Sequence, residues 1–136
     1  MGEAQEVLDS LRGPARSLRD AAPEAWAGFA ALHHAALADG VLPGHVKELM
    51  ALVIAVSKEC DGCIASHARA AARKGATAEQ VAEAISVAIL MNGGPATVYG
   101  PRAWAAFNEF AAPAVAPPAA PTAAPAAAPA GGGAGS

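Results

Sequence analysis

Lys58-Glu59-Cys60-Asp61-Gly62-Cys63-Ile64-Ala65-Ser66-His67 contains both cysteines of the 136-residue chain. They are spaced Cys-x-x-Cys, and a histidine stands four residues after the second. An α-helix turns by about 100° per residue, which places offsets 0, 3 and 7 within roughly 60° of one another. If the segment is helical, two thiols and an imidazole share one face. Such a face suits either redox chemistry or metal binding. Cysteine pairs outside oxidising compartments are more often catalytic or metal-ligating than structural.

Around this stretch the sequence reads as helices. Hydrophobic residues make up 54% of the chain but aromatics only 4%, so alanine supplies most of the apolar content, which favours close-packed helices over a sheet. Downstream, Cys63, Ile64, His67, Ala68 and Ala71 continue a helical stripe to Arg73-Lys74-Gly75, a basic end with a glycine cap. Thr77-Ala78-Glu79-Gln80 is a capping box. It opens a helix with Val81, Ala84, Ile85, Ala88 and Ile89 inward, ended by Asn92-Gly93-Gly94. Pro95 starts a last helix, which Gly100-Pro101 is expected to kink or interrupt and which supplies Trp104, Phe107 and Phe110 to the core.

Upstream, Ser57 to Gly62 forms a bend after a segment opened by Pro43. Val46, Leu49, Met50, Leu52, Val53, Ile54 and Val56 leave that segment almost no polar face, which predicts burial on most sides. Glu48 is the exception, at the edge of the apolar stripe. The preceding helix runs from Pro23 to Asp39-Gly40, with Trp26, Phe29, Ala30, His33 and Leu37 as a buried stripe. Residues 3–11 form a short amphipathic helix stopped by Gly13-Pro14, and 15–20 a polar connector. The predicted fold is all-α, a compact bundle of about six helices in one domain over residues 1–112.

Residues 113–136 contain six prolines, four glycines and no charged side chain, the composition of a disordered tail or linker. The longest apolar run, Leu49 to Val56, is eight residues, too short to span a bilayer. The start of the chain lacks the basic and apolar blocks of a secretory signal, so a cytoplasmic location is expected. The net charge of −3 and the lack of a basic stripe argue against a nucleic-acid partner.

Cysteines at a helix start have their thiolates stabilised by the dipole, and a nearby histidine can accept the proton. Two thiols three residues apart can also close a disulfide, one attacking an oxidant and the other resolving it. Glu48 joins this set only if its helix brings it against His67. The competing reading is a zinc site of Cys60, Cys63, His67 and Glu48. Of the other histidines, His33 reads as core, His34 as exposed and His45 as a neighbour of the Glu48 helix start.

Four pieces of sequence resemble one family: Lys47-Glu48-Leu49 before an apolar helix; Cys60-x-x-Cys63-x-x-x-His67; Gly75-Ala76-Thr77-x-Glu79; and Asn92-Gly93-Gly94-Pro95. Together, over roughly residues 25–110, they are similar to the AhpD-like alkyl hydroperoxidases of the carboxymuconolactone decarboxylase superfamily. The resemblance implies a thiol peroxidase or disulfide oxidoreductase with no prosthetic group. In it, Cys63 is oxidised by a hydroperoxide, Cys60 condenses with it, and Glu48 with His67 relays protons through water. The reductant is a small dithiol such as a lipoyl group on a carrier protein. Members nearest the characterised peroxidases carry a second histidine directly before the second cysteine, where this chain has Gly62. Decarboxylase members do not use a cysteine pair.

Helices this poor in polar faces cannot all be covered within a 112-residue body, which predicts self-association, and the resemblance implies a trimer or hexamer. Some superfamily members ride inside encapsulin shells through a C-terminal peptide behind a flexible linker, and residues 113–136 read as such a linker.

Overall fold

The computed structural model describes residues 2–111; the predicted disordered tail, 113–136, lies outside the described residues. Within them the chain forms six α-helices and no strand: α1 (Glu3–Ala21), α2 (Pro23–Leu37), α3 (Gly44–Ser57), α4 (Asp61–Arg73), α5 (Ala78–Asn92) and α6 (Ala96–Phe110). The helices α3 to α6 form the body. The helix α4 packs against α3 and α6, α5 packs against the same two, α1 lies across α4, and α2 sits at the edge beside α1 and α3.

Alanine makes this packing close. Ala65, Ala68 and Ala71 of α4, together with Ala103 and Ala106 of α6, are buried among Leu52, Val56 and Phe107. Gly100 has the same effect between α5 and α6, since a Cβ there would stand 2.9 Å from Ile85 Cγ2. The helix ends follow their sequence signals. The Thr77 capping box is present in both directions, and Gly75, with φ of +86°, follows the Arg73-Lys74 end of α4.

Both internal prolines are carried inside continuous helices. Gly13-Pro14 does not stop α1, which continues to Ala21, and Pro101 lies inside α6 without interrupting it. Each proline removes one helical N–H and costs about 3 kcal/mol in a helix interior. Pro14 and Pro101 both lie at exposed positions, where water can take up the freed carbonyl, and packing on either side holds the helix. The N-terminus of α1 is also tied down from a distance. The Glu109 carboxylate of α6 accepts the N–H groups of Ala4 (3.1 Å) and Gln5 (2.9 Å), supplying both a cap and a favourable charge at the positive end of the helix.

The predicted buried stripe of α2 is absent. No residue of α2 is buried; Trp26 and Leu37 are half-buried, while Phe29 and Leu32 are 65% and 66% exposed. The helix α3 is likewise buried on one side only, with Met50 and Ile54 exposed. Of the expected core aromatics Phe107 is buried and Phe110 half-buried, but Trp104 is 40% exposed, and Ile89 of α5 also faces outward. In each case the apolar spacing is that of a covered face, and among the described residues nothing covers it.

Candidate functional site

The site is built where α3 turns into α4. The turn is tight: Lys58 closes α3, Glu59 adopts a left-handed φ of 53°, and the Cys60 N–H reaches back to the carbonyl of Ala55 at 3.2 Å. A left-handed backbone is uncommon for a residue with a side chain, and here it delivers Cys60 to the N-cap of α4. The Cys60 Sγ accepts the Cys63 N–H at 3.2 Å, and the two sulfurs are joined as a disulfide with Cα atoms 5.2 Å apart. Cys63 is exposed and Cys60 half-buried. The first turn of α4 therefore offers the more accessible sulfur at Cys63. It holds the Cys60 sulfur against a backbone donor at the positive helix end, where a thiolate is stabilised.

Asp61, between the cysteines, would oppose a thiolate, and the fold partly neutralises it. Arg102 Nη1 lies 3.0 Å from both Asp61 carboxylate oxygens, and the same guanidinium sits over the Tyr99 ring at 4.6 Å.

One turn after Cys63 on the same helix, His67 meets Glu48. The Glu48 side chain comes from the first half of α3 and is 1% exposed, the only buried polar or charged side chain among the described residues. Its Oε2 lies 2.8 Å from His67 Nδ1, and its Oε1 accepts from Lys74 Nζ, also at 2.8 Å. Burial alone would push the Glu48 carboxyl up. Hydrogen bonds from Lys74 and His67, with the positive charge of Lys74 and that of His67 when protonated, outweigh it and hold the carboxyl below the ordinary glutamate range. A carboxylate can only accept hydrogen bonds, so His67 must carry its proton on Nδ1 and leave Nε2 as the nitrogen that exchanges protons.

The sequence named Cys60, Cys63, His67 and Glu48, and the fold brings Glu48 to His67 on the helix that carries Cys63. Two further residues had not been assigned to the site. Lys74 was read only as a basic helix end, yet it supplies the second partner of Glu48. His33, expected in the core, is exposed and stacks on His67 with ring centroids 6.0 Å apart and planes 20° apart, while the Phe29 ring lies 6.1 Å from it in a tilted arrangement. Its position on the apolar stripe concealed it, because that stripe faces outward. In this oxidised state the sulfurs bond each other and both Glu48 oxygens accept hydrogen bonds. Among the described residues no group of three or more His, Cys, Asp or Glu side chains is arranged to hold a metal ion. No described helix is long and apolar enough to cross a membrane.

Position 62 faces α1. A Cβ on Gly62 would stand 3.1 Å from Leu11 Cδ1, the end of a half-exposed side chain of the N-terminal helix.

Residues 23–112 match the model of the carboxymuconolactone decarboxylase family. An uncharacterised protein of Cupriavidus necator is 43% identical over 96 residues, covering 71% of this chain and 85% of the relative. In Paracoccus denitrificans, uncharacterised protein 4 in the cox locus is 41% identical over 109 residues, or 80% and 92% of the two chains. A crystal structure of the apo form of a carboxymuconolactone decarboxylase family protein from Legionella pneumophila superposes with a TM-score of 0.78. It shares 34% identity and covers 81% of this chain and 98% of its own. With the six-helix fold and the cysteine pair in place, this chain belongs to the carboxymuconolactone decarboxylase family, within the AhpD-like superfamily.

Proposed function

We propose that this protein is a thiol–disulfide catalyst that reduces hydroperoxides at Cys63 and is regenerated by a small dithiol. One observation carries the reading: a buried carboxylate fixes the tautomer of an imidazole one helical turn from the exposed member of a Cys-x-x-Cys pair.

The proposed steps use these groups as follows. In the reduced enzyme His67 Nε2 takes the Cys63 proton, directly or through water, and Glu48 stabilises the imidazolium that forms. The Cys63 thiolate attacks the terminal peroxide oxygen, and the O–O bond breaks. Cys63 becomes a sulfenic acid, and the alkoxide leaves with the proton that His67 returns. Cys60 then attacks the Cys63 sulfur, water departs, and the disulfide closes. An external dithiol attacks the accessible Cys63 sulfur and Cys60 leaves as a thiolate, stabilised by the Cys63 N–H. The second donor thiol resolves the mixed disulfide, leaving the reduced pair and an oxidised donor. A lipoyl group on a carrier protein has the required dithiol. Lys74 acts as a positioning residue, holding Glu48 ionised and its Oε2 toward His67.

Mixing reduced protein with cumene hydroperoxide tests the assignment. Loss of free thiol should be abolished in Cys63→Ser. In Cys60→Ser it should stop after one equivalent, leaving a sulfenic acid that a dimedone probe captures. Wild-type turnover in both single variants with dihydrolipoamide would refute it.

The outward apolar residues of α2 and α3, with Leu90 and Met91 of α5, support self-association of this chain. Sedimentation equilibrium should give a mass above the monomer.

A further inference from the structure

Beside the relay a cleft of about 650 Å³ opens between α2, the start of α3 and the second half of α4. Its wall is cationic. Arg69, Arg73 and Lys74 come from α4 and its end, His33 and His34 from α2, and His45 from α3. Of the two carboxylates in the lining, Glu48 has both oxygens engaged and Asp39 one, and neither pairs with an arginine. Asp39 Oδ1 accepts the Gly44 N–H at 2.5 Å, and Glu48 is shared between Lys74 and His67.

The guanidiniums are left over. Arg69 and Arg73 stand one turn apart on α4, where like charges oppose each other, and among the described residues neither has a carboxylate within 4.0 Å. Residues 112–136 contain no acidic side chain to supply one. Arg69 is also partly buried. Its burial, with the charges of Arg73 and Arg12, holds its pKa below the usual arginine value although Asp9 pulls the other way. An un-neutralised pair of planar donors in a concave wall matches the geometry of a carboxylate or phosphate, which guanidinium forks bind in bidentate fashion.

We infer that this cleft binds a small molecule through a carboxylate or phosphate group, seated on Arg69 and Arg73 with the imidazoles of His33, His34 and His45 as further donors. The cysteines are not in its lining, so binding does not depend on the redox reading. His33 touches the site from both directions, lining the cleft and stacking on His67. An occupant of the cleft therefore meets the ring that stacks on the relay imidazole.

The test is a titration of the full oxidised chain with succinate and, separately, with inorganic phosphate at constant ionic strength, followed by side-chain NMR. Saturable shifts of the Arg69 and Arg73 Nε–H signals and of the lining imidazoles are expected at millimolar ligand or below. Tighter succinate binding assigns the carboxylate class, tighter phosphate binding the phosphorylated class, and either supports the site. Arg69→Gln/Arg73→Gln should weaken binding by about tenfold or more. Arg69→Lys/Arg73→Lys keeps the charge but loses the fork, and should fall between. Arg16→Gln/Arg19→Gln on the exposed side of α1 should bind like the parent. The inference is overturned if neither ligand gives saturable shifts, or if the α1 variant loses as much affinity as the α4 variant.

Discussion

Replacing Lys74 by methionine removes one of the two partners of a carboxylate that has almost no access to water. A hydrogen bond to a charged group is worth about 1.5–3 kcal/mol. The lysine side chain is 38% exposed while that of glutamate is 2% exposed, so solvent screening at the lysine end lowers the expected loss to about 1–2 kcal/mol at neutral pH. The loss should depend on pH in a definite direction. Because Glu48 is held below its ordinary value in the folded protein, the stabilisation is fully present above the unfolded glutamate pKa of about 4.3. It disappears as the pH falls through the lower folded value. In Lys74→Met the opposing effect of burial gains weight, the Glu48 carboxyl moves up, and the linked stabilisation shrinks. Urea unfolding of the oxidised proteins at a series of pH values measures this directly. The gap between wild type and Lys74→Met should be widest near neutrality and close on acidification. The cycle with Glu48→Gln should show a coupling of about 1–2 kcal/mol. A gap unchanged by pH, or additive single effects, would refute the claim that Lys74 acts through the Glu48 charge.

Two further substitutions probe the packing that positions the site. Gly100→Ala puts a methyl group against Ile85 Cγ2 at 2.9 Å. It should destabilise by about 1–3 kcal/mol as overpacking, less the helix-propensity gain of about 1 kcal/mol, with non-additive behaviour when combined with Ile85→Ala in urea unfolding. Gly62→His introduces an imidazole directly before Cys63 and presses on Leu11, which is half exposed and free to yield. Stopped-flow thiol oxidation should speed up at a small cost in melting temperature, and adding Leu11→Ala should relieve part of the overpacking strain.

Much of this architecture is legible from local chemistry. The Thr77 box, the Arg73-Lys74-Gly75 end and the Cys60-x-x-Cys63 helix start each carry their own signal, and each is found where its residues place it. Pro14 misled as a helix stop, and Pro101 interrupts nothing, because a proline's cost is local, whereas the packing that carries α1 and α6 through it is tertiary. The stripes of α2 and α3 misled for another reason. Periodicity identifies an apolar face but not the molecule that covers it, so Phe29, Ala30 and His33 read as core and stand exposed. Glu48 could be flagged as an oddity on an apolar helix. Its partnership with Lys74, 26 residues away, has no periodic signature and emerges only from the crossing of α3 with the end of α4.

The central claim is that Glu48 and His67 activate the cysteine pair. The rate of alkylation of the reduced protein against pH tests it most directly, comparing wild type with His67→Ala. The account predicts a wild-type thiol that titrates well below the value of about 8.5 for free cysteine, moving up toward it in the variant. A wild-type value at or above that of free cysteine, unchanged by loss of the imidazole, would contradict it.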